Sequence, residues 1–172
     1  MANTYTLINS TSLSSSAASV TFSAIPATYD DLVLQISARS DNASNTTNIY
    51  VTLSGDTGSN YSETLVRGDG SNAYSDGFSN ITPFFRSLQA VGDSATSNTF
   101  SSVELYFPKY TTSANKPASF FSITENNATA ASLRAGAGLW RNSSAITSIL
   151  IEQIGSNFKS GSTFWLYGIK NS

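Results

Sequence analysis

Apolar and polar residues alternate along this chain with a period of two, in short runs closed by Gly, Pro, Asn or Ser. A β-strand sends successive side chains to opposite faces, so this period marks strands with one face buried. In the longest run, 31–39, Leu32, Leu34, Ile36 and Ala38 fall on one face, and Val33, Gln35, Ser37 and Arg39 on the other. The run 48–54 repeats the pattern, with Ile49, Val51 and Leu53 inward, before the turn Gly55-Asp56-Thr57-Gly58. Further strands are predicted at 4–8, 20–22, 61–66, 103–107, 119–125, 133–140, 145–153 and 162–169. The alternation fails between about 68 and 98, which reads as a long irregular loop carrying Tyr74, Phe78, Phe84 and Phe85. A loop of that length in a compact domain is usually functional, or else holds short elements whose pattern is hidden.

Nine or ten short strands with turn residues between them, and no internal repeat, predict one all-β domain over residues 1–172. The expected architecture is an antiparallel β-sandwich of about 8–10 strands, of the two-sheet jelly-roll type. The first and last runs are both strong strands and are expected to pair. In the last one Phe164, Leu166 and Gly168 share a face, leaving Trp165 and Tyr167 on the other. That second face points either to packing against the N-terminal segment or to a subunit interface.

Composition narrows the chemistry. The chain has 32 Ser, 19 Thr and 15 Asn among 172 residues, and neither His nor Cys. Thiol nucleophiles, disulfides, thiolate metal sites and imidazole acid–base catalysis are therefore excluded. Charged residues make up 12 %, about half the usual share, so the surface is built of small hydroxyls and amides. Such a surface suits close neutral contact in an assembly, and equally suits ordinary turns and exposed strand faces. The net charge of −2 comes without any basic run, which argues against a nucleic-acid partner. The opening Met1-Ala2-Asn3-Thr4-Tyr5 has neither the charged nor the apolar region of a leader peptide. The apolar runs are far shorter than the ~20 residues of a membrane-spanning helix, so no membrane partner is expected. A soluble protein made in a cytoplasm is the expectation.

The carboxylates are the remaining acid–base candidates. Asp30 and Asp31 are neighbours and point to opposite faces of a strand, so they do not form a catalytic pair. Asp56, Asn60 and Asp69 lie in turn-rich segments and could offer oxygen ligands to Ca²⁺, but Asx turns explain them equally well. No metal, cofactor or catalytic residue is expected. Gly136-Ala137-Gly138 lacks the helix and Lys of a phosphate loop and reads as a strand segment allowing close backbone approach. Seven Asn-X-Ser/Thr sequons, at Asn9, Asn42, Asn45, Asn60, Asn80, Asn127 and Asn142, match the chance expectation for so much Ser and Thr. Trp140, Trp165 or loop tyrosines could stack on pyranose rings, which makes host-surface glycans a candidate partner.

Three segments carry a family resemblance. They are Tyr5-Thr6-Leu7-Ile8, the run from Phe22 to Leu32 (FSAIPATYDDL), and the run from Gly161 to Ile169 (GSTFWLYGI), with Gly55-Asp56-Thr57-Gly58-Ser59-Asn60-Tyr61-Ser62 as a central match. Together they resemble tailed-phage virion proteins encoded among head and tail genes of aquatic phages, including cyanophages. The resemblance implies a non-enzymatic virion structural protein. Its members are similar to capsid decoration (cement) proteins, which sit as homotrimers on the major capsid protein and stabilise the head, or to receptor-binding fibre modules. It also implies location on the capsid surface after synthesis in the host cytoplasm. The absence of heptads or repeats favours a free-standing decoration protein over a fibre. The interface residues expected on this reading are Tyr5, Tyr74, Phe78, Phe84, Phe85, Trp165 and Tyr167.

Overall fold

The computed structural model describes residues 5–82, 85–124 and 131–170. Among them there is no helix. The strands are β1 (Tyr5–Ser12), β2 (Ser19–Phe22), β3 (Asp31–Ser37), β4 (Thr46–Leu53), β5 (Tyr61–Gly68), β6 (Ala73–Ile81), β7 (Phe85–Val91), β8 (Ser102–Phe107), β9 (Lys116–Ile123), β10 (Leu133–Trp140), β11 (Ile149–Glu152) and β12 (Thr163–Ile169). They form two antiparallel sheets, a large one ordered β1-β12-β3-β8-β9-β10-β5-β6 and a small one ordered β2-β11-β4-β7. The first and last strands pair, Tyr5 opposite Ile169 and Ser12 opposite Thr163.

The alternation in the sequence becomes the core. Leu32, Leu34 and Ile36 of β3 face Ile49, Val51 and Leu53 of β4 across the sandwich, joined by Phe107, Phe164 and Leu166. Each large apolar side chain buried this way contributes roughly 1.5–3 kcal/mol. Val33, on the outward side of β3, is only 2 % exposed because its cross-strand neighbours Tyr167 and Tyr106 cover it.

The span 68–98, expected to be an irregular loop, holds two strands. β6 is the outer edge of the large sheet and is exposed at six of its nine positions, with Phe78 and Ile81 turned to the core, so no regular apolar alternation marks it. β7 is the reverse case. All of its residues except Arg86 are buried, so its pattern is continuous rather than alternating. It lies under the large sheet, where the Ser87 hydroxyl donates to Glu63 Oε2 at 2.5 Å and the Gln89 amide N–H donates to Ser122 Oγ at 3.0 Å. The strand expected at 145–153 contracts to Ile149–Glu152, with Ile146 buried from the preceding loop.

The glycines of β10 allow close packing, as their spacing suggested. A Cβ at Gly138 would stand 2.5 Å from the Phe85 ring, and one at Gly136 would stand 2.5 Å from Phe120 and 2.6 Å from the Thr64 carbonyl.

Candidate functional site

Cross-strand partners in a ladder project from the same face, so the register defines what the large sheet shows outward. One outward row runs Leu7, Tyr167, Val33, Tyr106, Ser119, Ala137 and Thr64. The next runs Ser10, Trp165, Gln35, Glu104, Phe121, Ala135 and Val66. The other charged residues of this sheet (Glu63, Arg67, Asp76, Lys116 and Arg134) lie in inward rows. The outward side keeps two carboxylates and no cation. Of those two, Asp31 is 3 % exposed, with its carboxylate accepting from the Tyr106 hydroxyl and the Lys109 amide, both at 2.8 Å. Burial, together with Asp31, pushes the Tyr106 phenol up to about 12. Among the described residues of its strands, Glu104 alone offers an exposed charge on this face.

At one end of the face Tyr5 and Leu7 are 55 % and 51 % exposed, and the Tyr5 ring meets Tyr167 edge-on with centroids 6.3 Å apart. These residues sit on β1, an eight-residue edge strand with no charge and no proline. Natural proteins usually guard such an edge, because its free backbone groups template pairing with another chain. Further along the paired β3 and β8, Gln35, Ser37, Ser102, Glu104 and Trp165 line a groove of about 250 Å³ together with Ile36, Ser101 and Val103. The Gln35 amide donates to Glu104 Oε2 at 3.1 Å. On the far half of the sheet Phe121, Val66 and Leu133 stand 44 %, 58 % and 44 % exposed.

The expected interface residues separate. Tyr5, Trp165 and Tyr167 do share the outward face. Phe85 does not: it is 1 % exposed and packs edge-to-face on Tyr61 at 5.2 Å, so it is core. Phe78 is partly buried against the core with the Arg86 guanidinium 4.4 Å above its ring. Tyr74, 39 % exposed, lies under Arg67 at 4.0 Å on the sheet's far edge. Phe84 lies outside the described residues. The alternation pattern held no signal for Leu7 or Phe121, because their faces are defined by neighbours from distant strands.

The oxygen-ligand candidates have structural partners. The Asp56 carboxylate accepts from Trp140 Nε1–H at 2.7 Å, the Gly58 amide at 2.9 Å, the Asn60 amide at 3.0 Å and the Asn142 amide at 3.3 Å. Desolvation pushes this carboxyl up, but those donors outweigh it and hold it below its ordinary value. Asp69 closes an Asx turn, accepting from the amides of Ser71 at 2.9 Å and Asn72 at 2.7 Å. Trp140, at 1 % exposure, is removed from any ligand. Glu63, like Asp31, is a buried carboxyl, and desolvation raises it against donors from Ser87 and Arg86. No group of three or more Asp or Glu able to hold a metal exists among the described residues. No helix among them is long and apolar enough to cross a membrane.

No family model matches the chain, and no similar curated protein or solved structure was found.

Proposed function

We propose that this protein is a virion structural protein of the capsid decoration type, docking on the major capsid protein as a homotrimer and stabilising the head. The observation that carries this reading is the outward face of the large sheet. It is almost free of charge, carries the exposed Tyr5 and Leu7 beside the half-buried Tyr167 at one end, and finishes in the edge strand β1, which has no charge or proline and whose pairing is interrupted by a bulge between Leu7 and Asn9. Docking through its Tyr5–Leu7 end leaves the exposed Glu104 carboxylate outside the contact, and so avoids stranding an unpaired ion, the main cost of burying a charged surface. Several copies held by one trimer would convert a modest contact into tight binding.

The jelly-roll reading of the fold belongs to the same proposal. The half-sheet β1-β12-β3-β8 stands opposite β2-β11-β4-β7, and the chain crosses from one to the other at each step from β1 to β4. This is the order a double Greek key produces. On this reading β5–β6 and β9–β10 are two hairpins inserted into the roll, and they widen one of its sheets.

Immunogold labelling of intact phage particles, with an antibody raised against the recombinant chain, tests the assignment. Gold spread over the head is expected, and Leu7→Lys should reduce head labelling at least tenfold. Gold confined to a tail tip, or no label on particles made while the protein is expressed, would overturn it.

A further inference from the structure

The groove between β3 and β8 lies apart from the proposed docking end, one or two outward rows further along the strands. We propose that it is a saccharide subsite, binding one neutral pyranose ring of a surface glycan stacked on Trp165. The inference goes beyond the decoration reading and does not depend on it.

Four features carry it. The groove holds about 250 Å³, below the range of drug-sized pockets and suited to a single sugar ring. Its wall is the indole of Trp165, which is partly exposed and flanked on the ladder by Gln35. An aromatic face of this kind is an apolar platform with no demand for charge, which matches the C–H face of a pyranose. Its polar groups are an amide, a carboxylate and two hydroxyls, from Gln35, Glu104, Ser37 and Ser102. Between them they both donate and accept, as adjacent sugar hydroxyls require.

The fourth feature fixes the class of sugar. Among the described residues of the strands, no Lys or Arg projects from the outward side of this sheet, and the one exposed charge is the Glu104 carboxylate at the groove. A uronic or sialic acid would meet that carboxylate without a cation to offset it, whereas a neutral hexose or N-acetylhexosamine can donate hydroxyls to it. Phe121 follows Glu104 on the same ladder row and is 44 % exposed. It supplies a second platform for the next residue of a longer glycan. A single subsite of this size should bind in the millimolar range, about −4 kcal/mol.

Saturation-transfer NMR and calorimetry on the full chain test the proposal. The ligands are the methyl glycosides of glucose, galactose, mannose and N-acetylglucosamine, with glucuronate as the acidic control. At least one neutral glycoside should bind at millimolar concentration, with transfer strongest to the protons of one ring face. Trp165→Ala should weaken that binding at least tenfold, while Trp165→Phe, which keeps the platform and the packing, should retain it within about fivefold. Glu104→Gln should narrow the preference against glucuronate. Failure of all four neutral glycosides, tighter binding of glucuronate by the unaltered chain, or binding unchanged in a folded Trp165→Ala protein would each overturn the proposal. Labelling of particles reads the decoration assignment separately, so the two can fail independently.

Discussion

Asp56 at one end of the sandwich and Arg39 at the other are ionised side chains of opposite sign, each held mainly by neutral partners. At the end where β4 turns into β5, the Asp56 carboxylate gathers N–H donors from Gly58, Asn60, Trp140 and Asn142. At the end where β3 stops, the Arg39 guanidinium, in a residue 6 % exposed, gathers the carbonyls of Asp93, Ala95, Thr96 and Thr99 at 2.7–3.2 Å. Both arrangements satisfy a charge mainly with neutral dipoles, which spares a low-charge chain a matched ion pair. They differ in what can be switched off. A carboxylate becomes neutral in acid, while a guanidinium and its carbonyl acceptors do not titrate. Asp93 does pair with Arg39 at 3.7 Å and with Lys159 at 2.6 Å, but it is exposed, and such pairs contribute little.

The sharpest way to break this comparison is at the cationic end. Arg39→Met leaves four inward-facing carbonyls without their donor and should cost about 3–5 kcal/mol. The loss, read from urea denaturation, should be nearly the same at pH 7 and at pH 3. A loss under about 1 kcal/mol would mean that the 93–99 loop is held by something else. Asp56→Asn comes next, at about 1–3 kcal/mol at pH 7. The folded carboxyl lies below its unfolded value, so its contribution is complete above the unfolded pKa near 4 and is lost as pH falls through the folded one. Wild-type and variant denaturation midpoints should therefore converge on going from pH 7 to pH 2.5. Midpoints that stay parallel would remove the asymmetry between the ends.

A smaller change sharpens the picture. Asp41 lies at the Arg39 end and accepts from the Asn157 backbone at 2.7 Å and its side-chain amide at 2.8 Å. Those bonds, the backbone one foremost, lower its carboxyl against a small desolvation penalty. Asp41→Ala should cost only about 0.5 kcal/mol, as expected for an exposed site, and should leave thermal unfolding within a few degrees of wild type. A loss as large as that of Asp56→Asn would mean that the Arg39 end also depends on an ionised carboxylate.

How far these features were legible in the chain varied by element. β3 and β4 announced themselves because core-facing Leu32, Leu34 and Ile36, and Ile49, Val51 and Leu53, recur at every second position, even though Val33 and Thr52 on the other faces are also covered. β6 and β7 were hidden for opposite reasons, one largely exposed on both faces and the other buried on both, and neither state leaves a period of two. Phe85 was read as a loop aromatic for the same reason. Its burial comes from Gly138 and Tyr61, which no local pattern connects to it. The outward Trp165 and Tyr167 were visible because β12 has a clean alternation. The facing of Gln35 was equally legible from the alternation of β3, but its gathering with Trp165, Glu104 and Leu7 was not, because the register joins strands remote in the chain. The Asp56 knot was half visible: its turn chemistry was clear, while its bond to Trp140 spans 84 positions.

The pairing of β1 with β12 also has a mechanical consequence. Tyr5 lies opposite Ile169, so residues near the two ends of the described chain emerge side by side. A pull on both would load the ladder one rung at a time and peel β1 away like a zipper. A force entering through the sheet face would instead be shared among neighbouring strands. The sheet is therefore weakest to a pull that separates Tyr5 from Ile169 and stronger to a load spread across its broad side.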